Sequence, residues 1–376
     1  MNDHITIDDF ALIILSAIAM HKNVIFSGKS SITLESKVTS LSETCSKTSI
    51  SKLITKLHLN SLSSELIRGV CENSDVLNHF IPLISKDANK RLQRIRGLNL
   101  VNKVLRNVNY MLIKDLDIPF ALLSDLDLLL YDYIELLKAA ITLENEGCSI
   151  YKFRLLAHPF KVMATNCKDG TFDIDLYPHP MWIRRIVASN DEVFKTKYFG
   201  IRFGIEVPLP TPPMDFYLVA THAWSHLRLT LAETLYLLKL SESIKEEDWF
   251  QILEIAHEWG TLDSIYTVSL VVNTFSSKVY GYSVIPEEII KEMKKKYVLR
   301  GKAEKWLYSI KRMEFPIRFP ASLAVFYSSL YGFQVLWKKD LMSASYEVLS
   351  TYLSYSSNLF SARANKIPSK GVRNAD

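Results

Sequence analysis

Glycine is scarce in this chain, with twelve among 376 residues. None sits in a G-x-x-x-x-G-K-[ST] phosphate loop, a G-x-G-x-x-G dinucleotide fingerprint or a G-x-S-x-G nucleophile elbow. Each of those motifs needs glycine where the backbone turns sharply or approaches a ligand closely. Three familiar nucleotide-binding and hydrolase classes are thereby excluded. Long apolar runs are also missing: "FALIILSAIAM" (10–20) is about half the length of a bilayer span, so no membrane partner is expected. The four cysteines, Cys45, Cys71, Cys148 and Cys167, are dispersed and form no C-x-x-C pair. That dispersal predicts reduced thiols in a cytoplasmic protein, with no disulfide framework and no zinc knuckle. The opening "MNDHITIDDF" lacks the basic segment of a secretory signal. Only three glutamines occur, a composition in the direction of thermophilic proteins.

What is present is globular: 48% hydrophobic and 23% charged residues, enough apolar material for more than one core. The net charge of +5 suits a polyanionic partner such as a nucleotide or RNA without requiring one. Residues 1–90 read as short helices joined by Ser/Thr-rich turns. Residues 87–108 have apolar positions at three- and four-residue spacing and a basic opposite face, which predicts an amphipathic helix. Next come "NYMLIKD" and "SDLDLLLY" as strands, "DYIELLKAAITLENEG" as a helix ended by Gly147, and "YKFRLLA", "FKVMATN" and "TFDIDLYP" as further strands. "CKDG" marks a hairpin turn between the last two. "VPLPTPPMD" (207–215) holds four prolines and predicts a boundary or rigid linker. Beyond it the chain reads as helical up to a loose basic tail. The expected organisation is α+β: a helical region (1–90), a core with a small mixed sheet (91–210) and a second helical region (211–376).

The chemistry concentrates in the two D-x-D strands. Residues two apart in a strand point to one face, so Asp125 and Asp127 project together, as do Asp173 and Asp175. Were the two strands neighbours, three or four carboxylates would share one surface. Two carboxylates ~4 Å apart repel by roughly 4 kcal/mol at an effective dielectric of ~20. Such a cluster calls for retained protons or a divalent cation. Oxygen-only ligands favour Mg²⁺ or Mn²⁺ over zinc. Aspartates exposed at a strand edge are the plain alternative.

"SDLDLLL" resembles the S-D-h-D-h signature of the nucleotidyltransferase superfamily, and "DIDLYPHPMW" resembles the third-carboxylate strand of its archaeal and bacterial branch. "VPLPTPPMDFYLVATHAWSHLRLTLAETLYLL" and "EDWFQILEIAHEWG" are similar to the proline-rich turn, H-x-x-x-H helix and D-W helix of that branch. The similarity spans about residues 95–262 in the same order. It implies that Asp125 and Asp127 hold two Mg²⁺ (or Mn²⁺) ions on the triphosphate, with Asp175 completing the second metal site and Asp173 as an extra acid. It also implies transfer of NMP from an NTP to a hydroxyl on RNA, protein or a small molecule, as in toxin–antitoxin members. The chain departs from the family where the first strand usually ends in h-G-S: here stand Lys114 and Asp115. That departure leaves a second reading open, a catalytically inactive module that binds a protein or RNA partner.

Other candidates are subordinate. Lys114, Ser124, Arg184 and Arg185 are placed to meet nucleotide phosphates, the arginines through bidentate pairing. His222 and His226, four apart on a helix, share a face and would hold a metal given a third ligand. Glu233 belongs instead to a T-x-x-E capping box starting at Thr230. Lys152, Arg154 and Lys161 read equally well as ordinary surface cations. The basic, aromatic-containing run 291–306 would suit an RNA backbone, or simply a solvated helix face.

Overall fold

The computed structural model describes residues 51, 53–55, 57–58, 61–64, 74–118, 121–123, 125–152, 161–167, 172–182, 185–296 and 315–319. Its chain order begins with α1 (Ser74–Val104), β1 (Tyr110–Ile113), β2 (Asp125–Leu130), α2 (Tyr133–Asn145), β3 (Ser149–Lys152), β4 (Val162–Thr165) and β5 (Asp173–Tyr177). A short ribbon of β6 (Met181–Trp182) and β7 (Arg185–Ile186) follows, then α3 (Asn190–Lys195) and the hairpin β8 (Lys197–Arg202)–β9 (Ile205–Pro210). The rest comprises α4 (Pro212–Ser225), β10 (Arg228–Leu229), α5 (Leu231–Ser243), α6 (Glu246–Glu258), α7 (Leu262–Tyr280), α8 (Glu287–Lys296) and β11 (Ile317–Arg318). The fold is α+β with a small mixed sheet, as expected.

The sheet runs β1-β2-β5-β4-β3. β2 and β5 are parallel, and the other neighbours are antiparallel. Strand alternation divides it cleanly. Leu126, Leu128 and Leu130 of β2, with Ile174 and Leu176 of β5, pack against Leu98 and Val101 of α1 and Leu136, Ala139 and Leu143 of α2. Full burial of each such side chain contributes about 1.5–3 kcal/mol. Gly97 lets α1 lie close: a Cβ there would meet Leu126 Cδ1 at 3.0 Å and Phe172 Cβ at 3.3 Å. Caps fix the helix starts. Asp132 accepts from the Glu135 amide at 2.8 Å, and Ser189 and Thr230 form capping boxes with Glu192 and Glu233.

The opposite face carries Asp125, Asp127 and Leu129 of β2 and Asp175 and Tyr177 of β5. It joins Met111, Ile113 and Trp182 to the large core of helices α4–α8. The sheet and the C-terminal helices thus share one continuous core, and α1 crosses position 90 without interruption. The proline-rich stretch, expected as a boundary or linker, is instead an integral strand and helix start. Val207 and Leu209 are buried in β9, and Pro212 and Pro213 open α4, where a missing N–H costs nothing. The 87–108 helix is longer than its amphipathic pattern at one end and shorter at the other, running from Ser74 to Val104. One expectation about cysteine is overturned: Cys148 and Cys167 are joined as a disulfide beside the β3–β4 pair. Sequence spacing hid this pair, because only the antiparallel pairing of β3 and β4 brings the two residues together. Among the described residues no helix is long and apolar enough to cross a membrane.

Candidate metal centre

β2 and β5 pair in parallel with Asp125 opposite Asp173 and Asp127 opposite Asp175. Parallel partners share a face, so the pairing collects the carboxylates that each D-x-D presents. Asp125, Asp127 and Asp175 each offer an oxygen within 4.8 Å of the others, and they form the only such group of three acidic, histidine or cysteine ligands among the described residues. Asp173 is on the same face but exposed at the strand start, outside the triad. A cleft of about 440 Å³ lined by Arg96, Asn99, Leu100, Lys103 and Glu146 lies on the helix-covered side of the sheet, away from the acids.

Asp175 is buried, Asp125 and Asp127 are half-buried, and two lysines neutralise the cluster in part. Lys114 Nζ lies 3.0 Å from Asp127 Oδ2, and Lys161 Nζ pairs with Asp175 Oδ2. The Lys114 side chain is 8% exposed and that of Asp175 2%. Burial pushes the Asp125 carboxyl up to about 7, helped by the charges of Asp127 and Asp175. Burial and Asp127 also raise Asp175, against the pull of Lys161. Burial likewise works to raise Asp127, but Lys114, His222 and Lys161 outweigh it and hold that carboxyl below the usual range. The three acids therefore divide into one firmly ionised group and two that resist ionisation. Asp127 Oδ1 and Asp175 Oδ1 are buried acceptors with no hydrogen-bond partner. Orphan buried carboxylate oxygens of hard-donor type fit a divalent cation.

An aromatic wall surrounds Lys114, whose ammonium lies 4.6 Å from the Trp182 ring and 5.0 Å from the Tyr177 ring. Trp182 is anchored by its Nε1–H donating to Thr221 Oγ1 at 3.0 Å. It meets the His222 ring edge-on at 5.2 Å. The His222 and His226 rings lie 4.4 Å apart with their planes tilted by 55°, and His222 Nδ1 is 3.8 Å from Glu233 Oε1. Burial, then the neighbouring His222 and Lys114 charges, hold the His226 imidazole down to about 3, a neutral ring at any working pH. Glu233 is occupied at the Thr230 amide and hydroxyl. No ligand trio includes either histidine among the described residues, so a zinc site built on this pair is set aside. The pair supports the wall behind the triad.

The position where the resemblance expects glycine is informative. Lys114 has φ +52, in the left-handed region that glycine adopts freely. A lysine there costs on the order of 1 kcal/mol, and its ammonium reaches Asp127. Asp115 does not confront an incoming polyanion. It is buried between Arg94 and the Nε of Arg202, the latter at 2.6 Å. Asp117, further out, pairs with Lys239 at 2.8 Å.

Ser124, Arg154 and Arg184 lie outside the described residues, as does the side chain of Arg185, whose backbone pairs with Trp182. Most of the 291–306 run lies outside as well; Lys294–Lys296 stand on the last turn of α8. Sequence reasoning read Lys161 as an ordinary cation and missed its pairing with Asp175 at the triad. Its signal lay in the alternation of β4: Val162 and Ala164 face the α1/α2 core, which turns position 161 to the acid side.

No family model matches the chain, no curated protein matches it, and no solved structure matches its fold.

Proposed function

We propose that the chain is a metal-dependent nucleotidyltransferase that moves NMP from an NTP to a hydroxyl acceptor. The observation that supports this most is the triad itself: three acids from two adjacent parallel strands offer oxygens within 4.8 Å of one another, and Asp127 Oδ1 and Asp175 Oδ1 are buried without a hydrogen-bond partner. A structural core gains nothing from that repulsion. Asp125, Asp127 and Asp175 would hold Mg²⁺ or Mn²⁺, which supplies charge stabilisation for the triphosphate and the departing pyrophosphate. The nucleotidyltransferase type of sheet is part of the same proposal.

In the reaction the acceptor oxygen forms a bond to the α-phosphorus as the bond to pyrophosphate breaks, and pyrophosphate leaves with the electron pair. Asp175, raised above the ordinary carboxylate range by burial and by Asp127, is suited to take the hydroxyl proton. Lys114 and Lys161 fix the orientations of Asp127 and Asp175. Trp182 and Tyr177 keep water from the buried side of the pair. Incubation with each α-labelled NTP and Mn²⁺, followed by a screen of RNA, protein and small-molecule hydroxyls, tests the activity. Asp127→Asn should abolish any transfer, and label transfer that survives this change would refute the assignment.

A second reading, a non-catalytic module that binds a protein or RNA partner, has one observation in its favour: two of the three acids already carry lysine counter-charges. It predicts a folded protein that takes up neither Mn²⁺ nor NTP.

A further inference from the structure

The β8–β9 hairpin has two unlike faces. By register, Tyr198, Gly200 and Arg202 share a face with Leu209, Val207 and Ile205, and that face packs into the core covered by α1 and α2. On the other face Phe199 and Ile201 are 63% and 71% exposed, and Phe203, in the turn, is 48% exposed. Exposed apolar patches of a few hundred Å² are commonly functional. This one is small: three side chains offer well under the ~800 Å² per partner that a stable protein interface buries. It is flanked by cations. Lys195 and Arg106 are exposed, and Lys197 Nζ lies 5.9 Å from the Phe199 ring while donating to Asn109 Oδ1 at 2.8 Å, in the turn that also carries Arg106. None of these three cations forms an ion pair among the described residues. Glu206, opposite Ile201, is the one acid of the hairpin. The other end of the hairpin reaches the candidate metal centre: Arg202 Nε is 2.6 Å from Asp115 Oδ2, and the adjacent Lys114 meets Asp127.

Resting on the nucleotidyltransferase reading above, we infer that this outer face binds a single-stranded nucleic acid whose terminal hydroxyl is the acceptor. Exposed aromatic rings set among cations are what such a strand needs. Bases stack on the rings whatever their sequence, and ammonium or guanidinium groups meet the phosphates. Phe199 and Phe203 are the stacking residues, Ile201 fills the apolar gap between them, and Arg106, Lys195 and Lys197 take phosphates at the far end. β8 spans ~20 Å at about 3.3 Å per residue, which lays several nucleotides along the hairpin before the strand reaches Asp115. A small-molecule acceptor would use none of this length, and a folded protein would need a broader surface.

The probe is a fluorescently labelled RNA of about 12 nucleotides without self-complementarity, titrated with the full chain in EDTA and read by anisotropy. Without metal the triad takes no part, so this outcome is independent of the NTP chemistry. The wild-type chain should bind the strand, and bind its duplex with the complement more weakly because the bases are already stacked. Phe199→Ala/Phe203→Ala, confined to exposed side chains, should weaken single-strand binding by at least roughly tenfold. Lys195→Gln should lower the slope of log K against log salt by about 0.7. The same sequence as DNA runs beside it: either strand supports the inference, and a preference for RNA names the 2′-hydroxyl as part of the recognition. No binding by the wild-type chain, equal affinity for the duplex, or equal binding by the folded phenylalanine variant would overturn the inference. A dimer in sedimentation that the phenylalanine variant disperses would assign the face to a second copy and overturn it as well. Strand binding by a chain that, with Mg²⁺ and NTP, labels some other acceptor instead would overturn the acceptor role. Strand binding by a chain that transfers to nothing would remove the nucleotidyltransferase reading, and the acceptor role with it, and leave the binding face standing.

Discussion

Asp125→Asn should make the metal-free protein more stable, although it removes a proposed ligand. Burial, with the charges of Asp127 and Asp175, raises the Asp125 carboxyl from 3.8 to about 7, against the pull of Lys114. A folded-state value above the unfolded one means that the native state binds the extra proton between pH about 4 and about 7, so stability falls as pH rises through that window. Above pH 7 the full penalty is in place. A shift of that size corresponds to ~4 kcal/mol at 1.36 kcal/mol per unit, and coupling to the other acids and partial exposure reduce it to ~2 kcal/mol. Unfolding entropy of about 2.1 cal/mol/K per residue over the chain converts ~2 kcal/mol into a Tm rise of roughly 2–3 °C. Thermal unfolding in EDTA at pH 8 should show that rise for Asp125→Asn, and the gain should fade at pH 4.5, where wild-type Asp125 is already protonated. An equal or lower Tm at pH 8 would refute the repulsive account of the triad.

Two further changes test the architecture that carries the site. Asp115→Asn leaves Arg94 and Arg202 facing one another without their shared carboxylate and should cost about 3–5 kcal/mol, read as a fall in the urea midpoint. An unchanged midpoint would mean that this buried network does not hold the loop after β1. Gly97→Val should cost about 1–3 kcal/mol by driving a branched side chain against Leu126 and Phe172; near-neutral stability would show that α1 can retreat from the sheet.

The parts of the fold written in period-2 and period-3.6 patterns were legible in the sequence: β1, β2, β4, β5, α2 and the helices from α4 to α8. The pairing of the two D-x-D strands was an inference from their matched alternation, and the register puts Asp127 opposite Asp175. What was illegible depends on long-range placement. Proline density in 207–215 suggested a linker, because nothing local reveals that Val207 and Leu209 find a core across β1. Asp115 looked hostile to a polyanion because its partners, Arg94 and Arg202, are distant in the chain. Lys161 looked ordinary because its role exists only once β4 pairs with β5. The disulfide was hidden for the same reason. Lys114 at positive φ shows the limit from the other side: nothing in the sequence reveals that a lysine here adopts the left-handed conformation that glycine favours.

The most direct test of the central claim is calorimetric titration of each NTP, with Mg²⁺ present, into the wild-type chain and into the Asp125→Ala/Asp127→Ala double variant. The account predicts metal-dependent binding of at least one NTP by the wild type, lost in the folded double variant. A well-folded wild-type chain that binds no NTP with or without Mg²⁺ would contradict it.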